Sequence, residues 1–149
     1  MGLYMTCVNR LGRRALFGLT LSLVLGGTVI ADVVAVVSSK NPVSKLSKSQ
    51  VADIFLGKTA RFPDGTLAVP IDQEEGSPSR DEFYATFTGK SPAQIKSHWT
   101  KIIFTGRGQP PKAASSSAQV RQLIAANPQM ISYIERSAVD SSVKVLLLP

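Results

Sequence analysis

Cysteine, histidine and tryptophan each occur once in this chain, as Cys7, His98 and Trp99. A single cysteine forms no disulfide within the chain and supplies no thiolate metal cage. A single histidine makes no metal site without carboxylate partners at ligand spacing, and the ten acidic residues are not arranged that way. Glu74 and Glu75 are adjacent, so they point apart and form no acid/base pair; a solvated loop accounts for them. Gly76-Ser-Pro-Ser79 lacks the strained Gly-x-Ser-x-Gly turn of a serine hydrolase, and nothing pairs His98 with it. No catalytic constellation is legible, so the sequence reads as a non-enzyme with no metal and no cofactor. Internal repeats are absent, and the one compositionally biased stretch is Pro110 to Ser117.

Long apolar runs are scarce too. The one that exists, Ala15 to Gly27, is shorter than the roughly 20 residues a bilayer-spanning helix needs. Arg10, Arg13 and Arg14 precede it, and Val29-Ile30-Ala31 follows it with small or modest side chains. Basic, apolar and cleavable is the order of a secretory signal peptide, so residues 1–31 are read as one. The alternative is an uncleaved anchor, which the short run and its small-residue end disfavour. The Arg13-Arg14 pair raises a twin-arginine reading, to which its flanking residues give little support. Cys7 lies before the apolar run, where it is no lipid anchor, and leaves with the signal. The localisation implied is the periplasm.

Removing residues 1–31 takes three of the 17 basic residues and none of the ten acidic ones, leaving fourteen against ten and a net charge of +4. No dense Lys/Arg face remains, which argues against nucleic acid as a partner. A mild positive field that favours anions is left. Residues 32–149 suit one small domain.

Within that domain, Asp32 to Ser38 is a short β-branched run that predicts a strand buried on both faces. Ser47-Lys-Ser-Gln50 has capping-box spacing, and Val51, Ile54 and Phe55 follow at helical spacing up to Gly57. Phe62-Pro-Asp-Gly65 is a turn, and Thr66 to Ile71 predicts a second strand. Pro78 and Pro92 each stand where the first helical residue would be, the position that tolerates a missing N–H. Phe83 and Phe87 lie four apart on the first of these helices, and the second runs through Trp99 to about Phe104. Thr105 to Pro111 is a loop, Ser115-Ser-Ser117 a flexible lead-in to a helix that ends near Asn127-Pro128. Met130–Ile134 and Val143–Leu148 complete the strands. Strands alternating with helices predict an α/β layer fold with a mixed or mostly parallel sheet.

The stretch richest in chemistry is Asp72-Gln-Glu-Glu-Gly-Ser-Pro-Ser-Arg80. A strand ends, Gly76 turns the chain, and a helix starts with Ser77, Ser79 and Arg80. A helix start carries unpaired N–H groups and roughly half a positive charge, and attracts phosphate or sulfate. Serine hydroxyls and an arginine fork would add donors to a tetrahedral oxyanion. A plain N-cap and a solvated arginine are the simpler account of the same residues. Arg107, between two glycines, is within the range of a loop that swings toward such an anion, or is merely solvated.

The order of segments resembles the second lobe of the phosphate-binding family of ABC-transporter solute-binding proteins, over nearly all of residues 32–149. Asn41-Pro-Val, Leu46-Ser and Val51-Ala-Asp-Ile-Phe-Leu-Gly-Lys58 are similar to the approach to that lobe. Glu75-Gly-Ser-Pro-Ser-Arg-Asp-Glu-Phe83 is similar to its phosphate loop, Asn127-Pro-Gln-Met-Ile-Ser-Tyr133 to its Asn-Pro-Gly-Ala-Ile-Gly-Tyr, and Val139 to Val145 to its closing strand. The resemblance implies a single periplasmic-binding-protein-like lobe that binds inorganic phosphate or a related oxyanion through Gln73, Gly76, Ser77, Ser79 and Arg80, with Arg107 a further candidate from its place between two glycines. It implies an ABC permease, another periplasmic protein or a second copy as partner.

Several positions depart from the family. Gln73 stands where the family has a phosphate-gripping arginine, Pro78 where it has a glycine N–H, Ser79 where it has threonine, and Ser132 where it has glycine. With those donors missing and one lobe instead of two, the expectation is weak binding by the monomer. The other expectation is an interaction module that has lost ligand capture. Sequencing the N-terminus of exported protein should find it beginning near Asp32; full-length protein held in the inner membrane would show the signal reading to be wrong.

Overall fold

The structure, a computed structural model, describes residues 32–146. The signal reading of residues 1–31, with Cys7 and the Arg13-Arg14 pair, lies outside the described residues, as do Leu147 and Leu148 of the last predicted strand.

The elements run β1 (Val33–Ser38), α1 (Lys48–Phe55), β2 (Val69–Gln73), α2 (Pro78–Thr88), α3 (Pro92–Phe104), β3 (Lys112–Ala114), α4 (Ser117–Ala126), β4 (Met130–Glu135), a 3₁₀ turn (Arg136–Ala138) and β5 (Val143–Val145). The five strands form one sheet in the order β3-β2-β4-β1-β5. β2 is parallel to β3 and to β4, whereas β1 is antiparallel to β4 and to β5. The sheet is mixed, as the alternation of elements implied.

β1 shows why its sequence is uniformly apolar. Successive side chains of a strand point to opposite faces, and both faces are covered. Val33, Ala35 and Val37 pack with Val51, Phe55, Phe83, Ile95, Trp99 and Tyr133 on the face carrying α1, α2 and α3. Val34 and Val36 pack with Val120, Ile124 and Ile134 beneath α4. All six β1 residues are buried as a result.

Both predicted capping boxes form: Ser47 with Gln50, and Ser91 with Gln94. Gly57 closes α1 with φ +73°, and a Cβ there would stand 2.9 Å from Cη2 of Trp99, so both backbone and packing require glycine. The second strand starts later than Thr66 and extends to Gln73. The reason lies in its partners: β2 takes its register from Met130 and Ile131 of β4 and from residues 112–114, which a local reading does not contain. Residues 112–114 were themselves hidden in the proline- and serine-rich stretch.

An aromatic stack fills the face under α2. Phe83 lies parallel to Tyr133 with ring centroids 4.0 Å apart and meets Phe55 edge-on at 4.7 Å. Phe83 is fully buried. Replacing Phe83 by alanine should cost about 3–5 kcal/mol in urea unfolding of the full chain. A loss below about 1 kcal/mol would show that the stack is not the centre of this core.

Candidate functional site

Three parallel strands end on one edge of the sheet, at Gln73, Ala114 and Glu135. In open α/β sheets ligands bind beyond the carboxyl ends of strands, where the following helices start. α2 follows β2 and α4 follows β3, so both helix N-termini lie at this edge. The expected residues are therefore placed by topology as well as by sequence.

Asp72 is buried at 4% exposure near the end of β2. Its Oδ2 accepts the Tyr84 hydroxyl at 2.7 Å and faces Arg80 Nε at 3.3 Å. Its Oδ1 accepts the Tyr133 hydroxyl and the N–H of Gln73, the latter at 2.8 Å. The Arg80 guanidinium also lies over the Tyr84 ring, 5.1 Å from its centroid. Burial, and then the Asp72 charge that would oppose a phenolate, push both tyrosine hydroxyls well above the ordinary range. They act here as fixed donors. Burial disfavours the Arg80 cation, but the Asp72 carboxylate outweighs it and holds the guanidinium above its ordinary value.

Gln73, Gly76, Ser77 and Ser79 sit around this group, whereas Arg107 does not join it. Gln73 is buried; its Nε2 donates to the Tyr133 carbonyl at 3.2 Å, and its Oε1 accepts the Ser77 hydroxyl at 3.0 Å. Ser77 occupies the N-cap position of α2 but makes no side-chain cap. Gly76 is exposed, with φ +90°, and makes the tight turn between β2 and α2. Ser79 is buried, and its hydroxyl donates to Oε1 of Glu135. Arg107 is exposed on its loop and lines a cleft with His98, Trp99 and Ile102. Arg80 lines a cleft of about 230 Å³ beside Glu75, Lys96, Trp99 and Thr100. Ser77, Ser79 and Arg80 thus share one helix start but have three different internal partners.

Sequence reasoning passed over Asp72, Tyr84, Tyr133, Ser117 and Glu135. Ser115 to Ser117 are not merely a lead-in: Ser115 bonds Gln119, Ser116 caps α4, and Ser117 donates to Oε2 of Glu135 at 2.5 Å. Glu135 therefore receives one hydroxyl from the start of α2 and one from the start of α4. Burial pushes its carboxyl up, but the Ser117 and Ser79 hydroxyls and its own backbone outweigh this and hold it below the usual carboxylate value. The one available signal was strand order. Three strands ending together bring Ser79, Ser117 and Glu135 to one place, and strand order is not written in local periodicity. Among the described residues there is no group of three or more His, Cys, Asp or Glu side chains placed to hold a metal ion.

Among the solved structures with a similar fold are proteins named for phosphate transport. One, described as a phosphate ABC transporter substrate-binding protein from Clostridium perfringens with bound phosphate, aligns with TM-score 0.64 and 23% identity over 78% of this chain and 44% of its own. An ABC-type phosphate transport receptor from Vibrio cholerae aligns with TM-score 0.62 and 20% identity over 78% of this chain and 46% of its own. PstS from Borrelia burgdorferi aligns with TM-score 0.54 and 12% identity over 78% and 47%. The chain thus spans about half the length of these proteins, and its fold is that of one of their lobes. No protein-family model matches the sequence, and no curated protein matches it significantly.

Removing the Asp72 charge leaves Arg80 as an uncompensated, nearly buried cation. Asp72→Asn should therefore destabilise the fold by about 3–5 kcal/mol, and the double variant Asp72→Asn with Arg80→Met should recover part of the loss. Chemical denaturation checks this; a single variant as stable as the parent would mean that the ion pair contributes nothing.

Proposed function

We propose that this chain is an exported, periplasmic solute-binding-like protein that holds inorganic phosphate or a related oxyanion at the start of α2, and holds it weakly. The observation that carries this reading is the convergence of the Ser79 and Ser117 hydroxyls on the two oxygens of one carboxylate, at the starts of two helices. A place that presents donors to two anionic oxygens has the donor chemistry an oxyanion needs. The likeness of the fold to proteins named for phosphate transport supports the same class of ligand.

Gly76 provides the turn, and α2 provides first-turn N–H groups that no side chain caps. Ser77, Ser79 and Arg80 are the side-chain donors. The Arg80 ion pair runs through Nε, so its terminal nitrogens are the atoms that would meet the anion. Gln73 supports the Ser77 hydroxyl and brings no charge. Arg107 would join only by movement of its loop. Weak binding follows from the donor count. Pro78 has no N–H, Gln73 no charge, and both serines are already engaged.

A second reading is an interaction module without a small-molecule ligand, docking an ABC permease, another periplasmic protein or a second copy. Phe104, 87% exposed at the end of α3 next to half-exposed Ile103, favours it. Titration with inorganic phosphate at low salt, followed by calorimetry on the full chain, separates the two. The first reading expects millimolar affinity, on the order of 4 kcal/mol, reduced further by Ser79→Ala. The absence of any saturable heat would leave the second. Micromolar binding would overturn the donor count.

A further inference from the structure

The two carboxylates of the site, buried Asp72 and half-buried Glu135, differ in what neutralises them. Asp72 has a cation, Arg80, and two phenols. Glu135 has hydroxyls only: Ser79 from α2 and Ser117 from α4. Its nearest charged neighbour in sequence, Arg136, is turned away to Asp32. Glu135 is held as an external anion would be held, by neutral donors at two helix starts.

We infer that Glu135 is a built-in competitor for the oxyanion, which keeps the α2 site closed until its carboxylate is displaced. The inference rests on the reading of that site given above and adds its regulation. A serine hydroxyl has one proton to donate. While Ser79 and Ser117 donate to Glu135 they cannot donate to phosphate. A carboxylate fixed on β4 also competes intramolecularly, at an effective concentration of millimolar order or above. Free phosphate at lower concentration loses to it. The apparent affinity is the intrinsic affinity reduced by the fraction of molecules in which Glu135 has withdrawn. A phosphate that entered with Glu135 in place would also face its negative charge at close range. Asp72 already holds Arg80 through Nε, so only the terminal nitrogens of that guanidinium remain to offset the repulsion.

The test is titration of the full-length parent, Glu135→Ala and Glu135→Gln with inorganic phosphate at fixed ionic strength, with thermal melting of each to establish folding. Glu135→Ala should bind at least about tenfold tighter than the parent, the change expected when a closed state favoured ten to one is removed. Glu135→Gln, neutral but still filling the place, should fall between them. It carries the comparison alone if the alanine variant does not fold. Adding Ser79→Ala to Glu135→Ala should abolish the gain. Equal binding by parent and variants would overturn the competitor role while leaving the oxyanion reading intact. Weaker binding by the variants would overturn it in favour of Glu135 as a supporting residue of the site. No binding by any of them would bring down the oxyanion reading itself, and the inference with it.

Discussion

The buried carboxylate of Asp72 sets the terms for everything near the site. A carboxylate taken out of water is tolerable only when its lone pairs are met, and here they are met from three elements. Tyr133 reaches it from β4, Tyr84 and Arg80 from α2, and the Gln73 amide from β2 itself. The same bonds fix the angle at which α2 leaves the sheet. Tyr133 and Tyr84 belong to the core as well: Phe83 stacks on the first and meets the second edge-on. Core packing and site geometry are therefore one constraint, and the start of α2 cannot shift without disturbing the aromatic layer beneath it.

That constraint explains why the expected anion-binding residues do not point together. A helix advances about 100° per residue, so Ser79 and Arg80, adjacent in sequence, face different neighbours. Once Asp72 draws Arg80 toward Tyr84, Ser79 turns toward Glu135 and the start of α4. The cation and the hydroxyls are separated by their internal partners, and an oxyanion at this edge would draw chiefly on neutral donors and on the helix start. Such contacts are individually modest in the presence of water and salt, which suits a weak ligand better than a tight one.

Most of the architecture was readable from local pattern. The β-branched run gave β1, two capping boxes and two helix-opening prolines placed α1, α2 and α3, and the glycine after Phe55-Leu56 ended α1. These signals are strong because each rests on chemistry within a few residues. The short strand at Lys112–Ala114 was not readable, since three residues of Lys-Ala-Ala carry no period and become a strand only by pairing with β2. The site was legible in part. Ser77, Ser79 and Arg80 announce a helix start, but Asp72, Ser117 and Glu135 gain their roles from strand order. Glu135 in particular reads locally as the polar end of an apolar strand.

The contrast between Asp72 and Glu135 carries one further step. A buried ion pair gives little net stability but strongly resists losing one partner, so Asp72 and Arg80 suit a permanent frame. A half-buried carboxylate held by hydroxyls alone has no charge that must follow it, and water can take it up when it leaves. Its withdrawal frees two donors at once, on two helices, without breaking the frame beside it. Were an oxyanion held at this edge, the group that never moves would keep the helix start on aim, and the one that yields would release the donors. In this fold the first is anchored near the end of β2 and the second at the end of β4, and the parallel pairing of those two strands keeps them at the same edge.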